Sequence, residues 1–144
     1  RLLNYWRFKA TSMQEQINRI EDYCKRFRVT IGYLEDNLFQ KVYAEHFKKN
    51  SFLPLQGHTV TNTGKNSPEY GILSFRPAFE NDKWVFPYNT PKDQEKTDLI
   101  VTEFNGIVQR NGRIGNESFH DDTVMSLWHA MCASLNTVFV ADWG

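Results

Sequence analysis

The sequence predicts an α/β layer fold, and three observations carry that expectation. Met13, Ile17, Ile20, Cys24 and Phe27 recur at helical spacing, with Ser12 and Glu15 placed as a capping box. "RVTIGYLED" then forms a short β-branched and aromatic run, read as a strand ending near Glu35. "NLFQKVYAEHFKKN" returns to helical spacing through Phe39, Val42, Tyr43, His46 and Phe47, with Asn37 as its expected cap. The opening "RLLNYWRFKA" alternates loosely and is rich in aromatics, which reads as a strand already under way. Strand, helix, strand and helix in succession are the pattern of an α/β domain.

The next stretch, "SFLPLQGHTVTNTGKNSPEYG", is rich in Gly, Asn, Thr and Ser and is read as mostly loop, with a short strand near "LPLQG". "GILSFRPAFE" reads as a short helix disturbed by Pro77, and "NDKWVFPY" as a turn and a short strand. Thr90 and Pro91 open a long helix expected to run roughly to Val108, because Thr suits the N-cap and Pro the first helical position. "QRNGRIGNESF" reads as a glycine-bearing loop that leads to a last helix beginning near Asp121.

The chain has 144 residues, 40% of them hydrophobic and 15% aromatic, with zero formal charge, so it is expected to be one domain with a real core rather than a disordered segment. No apolar run approaches the ~20 residues of a membrane span and the first residues show no charged-then-apolar pattern, so neither a membrane span nor a signal peptide is expected. Cys24 and Cys132 both lie on apolar helical stripes and are read as reduced core residues of a cytosolic protein. Charge neutrality argues against a nucleic-acid-coating protein while leaving room for a local DNA groove.

Chemistry gathers in "SFHDDTVMSLWHA". On a helical wheel Val124, Trp128, Met131, Cys132 and Leu135 share the inward face. Asp121 falls near the centre of that face, while Asp122 lies about a quarter turn away. A helix cap needs no inward aim, and a buried charge without a partner is costly, so Asp121 is the candidate ligand. Glu35 ends an apolar strand, at the edge where α/β folds place their sites. Convergence of Glu35 and Asp121 would create an oxygen-only donor set suited to Mg²⁺ or Mn²⁺.

"GYLEDNLFQ", "GILSFRPAFENDKWVFPY" and "GRIGNESFHDDTVMSLWHA", in that order, resemble the nuclease domain of tailed-phage terminase large subunits over nearly the whole chain. The resemblance implies a ribonuclease H-like mixed sheet flanked by helices and a two-metal endonuclease that cuts concatemeric double-stranded DNA during packaging. It implies Glu35, Asp121 and Asp122 as the catalytic, metal-binding acids, with Asp122 an auxiliary ligand or a base. His120 would stand behind them, hydrogen-bonding a ligand or relaying a proton. The portal protein and the small terminase subunit are the implied partners, and the bacterial host cytoplasm the implied location. The family's first-strand aspartate matches no residue here, so the chain is expected to be a nuclease domain lacking its first strands and impaired in cleavage by itself. No glycine-rich GK[ST] loop is present, so no motor activity is expected.

Lys48, Lys49, Lys65 and Arg113 lie in or beside loops and are candidate phosphate contacts. His46, His58 and His129 show no metal-ligand spacing, so zinc is not expected, and His129 is placed at the edge of a helix face. Trp128 is expected in the core, and Trp6, Trp84 and Trp143 in core or rim packing. The rival reading is a non-catalytic module of the same fold that guides DNA or docks on the portal.

Overall fold

Ser12 does what its spacing predicts: its hydroxyl accepts from the Glu15 N–H and opens helix α1 (Met13–Phe27). The helix stops at Arg28, which takes the left-handed conformation, with backbone N–H bonds back to the last turn. The computed structural model describes residues 1–7, 12–50, 53–111, 113–116 and 121–141. Its contacts divide the chain into two compact units, one of residues 8–60 and 129–144, the other of residues 1–7 and 61–128.

In the first unit, β1 (Gly32–Glu35) and β2 (Leu55–His58) pair in parallel around the helix α2 (Leu38–Asn50), in the register Gly32↔Leu55 through Glu35↔His58. Parallel pairing requires a crossover, and α2 supplies it. Ile17, Tyr43 and Phe47 form the core, with Ile20, Leu34, Leu53 and Leu55 packed against it. The Tyr43 hydroxyl donates to Gln16 Oε1 at 2.9 Å, so its buried ring keeps a polar partner.

The second unit contains the short helices α3 (Asn62–Lys65) and α4 (Phe75–Glu80), the long helix α5 (Pro91–Asn105) and the antiparallel hairpin β3 (Ile107–Arg110) and β4 (Arg113–Asn116). It also contains the opening turns of α6 (Asp122–Ala141). A 3-10 turn, Ile72–Ser74, leads into α4. Gly71 before it has no room for a side chain, since a Cβ would lie 2.4 Å from the carbonyl oxygens of Lys65 and Ser67. Pro77 does not break α4, because it sits in the first turn, where its missing N–H has no helical acceptor to lose. Ile72, Phe75, Ile100, Val124 and Trp128 are buried. Phe75, Phe79, Trp84, Phe86 and Phe104 form a connected aromatic cluster.

Four expectations are corrected. Residues 1–7 form no strand; one backbone bond, Leu2 N–H to the Val85 carbonyl, links them to residues 83–88, which form no strand either. Trp84 and Phe86 pack into the aromatic cluster instead of entering a ladder. The segment read as a loop before residue 117 is the β3–β4 hairpin, and α5 ends at Asn105 rather than Val108.

At the start of α5 the capping box is complete: Thr90 Oγ1 accepts from the Asp93 N–H, and Asp93 accepts from the Thr90 N–H. Thr90→Ala should lower stability by about 1 kcal/mol. Urea unfolding monitored by circular dichroism measures it, and an unchanged midpoint would mean that the box contributes nothing.

Candidate functional site

Glu35 closes β1 at the carboxyl end of the parallel pair, half-buried, and Asp36 follows it exposed. Asp36 Oδ2 accepts from the Thr59 hydroxyl at 3.3 Å, which ties the ends of the two strands together. This is the edge where α/β sheets place ligands.

In the other unit, Asp121 immediately precedes α6 and its carbonyl accepts the first helical bond, from the Met125 N–H at 2.9 Å. Asp121 is half-buried, whereas the Asp122 side chain is 71% exposed. Burial therefore ranks the two aspartates as the helical wheel does. Val124 and Trp128 are buried as expected, and Trp128 Nε1 donates to the Tyr70 carbonyl at 2.8 Å. The rest of the inward stripe fades: Met131 and Cys132 are half-buried and Leu135 is exposed. Thr123, Met125, Leu127 and His129 are buried instead, so the first turns of α6 are enclosed over more of their circumference than one stripe predicts.

What holds this helix end was not read from the sequence. Glu103 of α5 is 3% exposed, and its two oxygens are both engaged. Oε1 pairs with Arg7 Nη1 at 2.6 Å, and Oε2 accepts from the Thr123 backbone N–H at 2.9 Å. A carboxylate from one helix thus caps the N-terminus of another, where partial positive charge favours it. Tyr5 and Thr123 share a hydroxyl–hydroxyl bond of 2.6 Å, and the second Arg7 nitrogen lies 3.9 Å from Asp122. Burial and the neighbouring Glu103 push the Tyr5 hydroxyl above its ordinary pKa, though the Thr123 bond works against them, so it stays protonated at neutral pH. The aromatic opening segment therefore serves as an anchor for α6.

The histidines also correct the sequence reading. His129 is 6% exposed, not at a helix edge, and its Nδ1 lies 2.6 Å from Nδ1 of His58. The spacing of 71 positions hid a contact that the fold creates. His120 and Trp143 lie outside the described residues.

Of the candidate phosphate contacts, Lys48 and Lys49 are exposed in the last turn of α2, Lys65 is half-buried at the end of α3, and Arg113 is exposed where β4 begins. Lys48 borders a cleft of about 590 Å³ with Asp36, Lys41, Glu45 and Gln56, a lining of mixed charge. Glu35, Asp121 and Asp122 are carboxylates only, the donor chemistry of a hard cation. Among the described residues, no group of three or more His, Cys, Asp or Glu side chains is drawn together as a metal cluster. No described helix is long and apolar enough to cross a membrane.

The molecule is thus a mixed α/β protein with acids at a strand end and at a helix start. Comparison with family models, with curated proteins and with solved structures gives no match to this chain.

Proposed function

We propose that this chain is a ribonuclease H-like nuclease domain of the terminase kind, cutting double-stranded DNA with divalent metal during phage genome packaging in the bacterial host cytoplasm. The observation that carries the reading is the start of α6. Two adjacent carboxylates stand at the start of a helix whose Thr123 N–H is held by the buried Glu103, so Asp121 and Asp122 stand on a braced element. Glu35, at the carboxyl end of a parallel strand, is the third acid.

Mg²⁺ or Mn²⁺ would be held by Glu35, Asp121 and Asp122, and when bound supplies an activated water and charge stabilisation of the departing oxygen. The protein's own part is orientation. Glu103 and Arg7 fix the helix end, and Asp122, the more exposed acid, would accept a proton from water. Lys48, Lys49, Lys65 and Arg113 would hold backbone phosphates without reading sequence. Portal protein and small terminase subunit are the partners this reading assigns.

The test is plasmid cleavage by the protein expressed from its complete gene. Nicking and linearisation should require Mn²⁺ or Mg²⁺ and stop with EDTA. Retention of duplex DNA with no cleavage under either metal would favour the DNA-guiding module instead.

A further inference from the structure

We propose that His58 and His129 form a two-imidazole site for a single zinc-class divalent cation, which takes the place of the proton the two rings share, that proton passing to water or to Nε2 of the ring that held it. The inference is independent of the nuclease reading, because it uses nitrogen donors rather than the carboxylates of Glu35, Asp121 and Asp122.

Geometry carries it. The two Nδ1 atoms stand 2.6 Å apart, with ring centroids at 4.8 Å and planes at 82°. Two bare lone pairs at that separation would repel, so one ring holds a proton between them and the other accepts it. Two imidazole nitrogens converging on one point are the donor pair that Zn²⁺, Ni²⁺ and Co²⁺ prefer. Tetrahedral Zn–N bonds of ~2.0–2.1 Å place cis nitrogens about 3.3 Å apart, so the rings need open by only about 0.7 Å. His58 is half-exposed on β2 and can make that movement, while His129 is enclosed on α6.

The surroundings preset the ring planes. Tyr33 stacks on His58 with centroids 4.6 Å apart and planes at 27°, and the Asn136 amide donates to the Tyr33 hydroxyl. Such outer contacts are what orient imidazole ligands at metal sites. Cys132 is one turn beyond His129 on α6, and the proposed site uses the two imidazoles without it. Water completes the coordination from the exposed side of His58.

The experiment uses the wild-type protein and Zn²⁺ itself. Titration against a chromophoric chelator should give one Zn²⁺ per chain, and long-range nitrogen–proton NMR should show the Nδ1 resonances of two histidines moving together. His58→Gln, at the half-exposed position, should weaken binding at least tenfold, and His46→Gln should leave it unchanged. Co²⁺ should give the visible spectrum of a nitrogen- and oxygen-ligated ion. Unmoved Nδ1 resonances at saturating Zn²⁺ would overturn the proposal without any variant having to fold, as would equal affinity in His58→Gln. Either outcome would leave the pair a hydrogen bond and nothing more.

Discussion

Glu103→Ala should destabilise the protein by about 3 kcal/mol, the lower end of the cost of breaking a buried ion pair by removing one partner. Two groups lose their acceptor at once: Arg7 Nη1, now 2.6 Å from Oε1, and the Thr123 N–H, now 2.9 Å from Oε2. The Thr123 N–H has no helical acceptor in the first turn of α6, and Thr123 is 1% exposed, so water cannot readily replace Glu103. Arg7 is 34% exposed and can recover hydration, which is why the loss should fall at the lower end. Glu103→Gln keeps one acceptor oxygen in the same volume and should lose about half as much. Urea unfolding gives both values. An alanine variant within 1 kcal/mol of wild type would show that this contact does not hold the start of α6.

Glu103 also marks the limit of what the residues alone disclose. On α5 it reads as one more acid on a polar helix, and nothing local distinguishes it from Glu95, which is exposed. Its role comes from a partner 96 positions away in Arg7 and another 20 positions away in Thr123. The helices were legible because their signals are local. Ser12 with Glu15, and Thr90 with Pro91 and Asp93, specify where α1 and α5 begin, and apolar spacing specifies which faces turn inward.

The strands were legible less evenly. Each has four residues, too few for alternation to register, and β1 was found through its β-branched and aromatic content. The β3–β4 hairpin did carry a signal. Asn111-Gly112 connects Arg110 and Arg113, which pair across the ladder, and Asn111 has the positive φ, 50°, of a two-residue turn. The Asn-Gly dipeptide, rather than the glycine content of that stretch, is its hairpin signal. For the candidate site, Asp121 is half-buried and Asp122 exposed, the order the helical wheel expects, although Asp121 precedes α6 rather than lying on it. The contact between His58 and His129 could not, since neither ring lies near the other until β2 and α6 have formed.

On the nuclease reading proposed above, Asp121→Asn and Glu35→Gln should each reduce Mn²⁺-supported plasmid cleavage at least about 100-fold, since even residues that only orient a metal ligand cost 10–100-fold when removed. Both changes keep side-chain volume and polarity while removing the negative charge that binds a hard cation. Asp122→Asn should cost less. Its side chain is 71% exposed and spends its charge largely in water, whereas Asp121 is half-buried and faces less competition from solvent. Urea midpoints separate chemistry from folding. Asp122 lies 3.9 Å from Arg7, a marginal ion pair, so Asp122→Asn should move the midpoint little. If cleavage fell with the midpoint preserved, the loss would belong to the metal site. Equal losses for Asp121→Asn and Asp122→Asn would remove the ranking by burial. Full activity in Glu35→Gln would take the strand acid out of the site and leave the helix acids to be matched with a different third carboxylate.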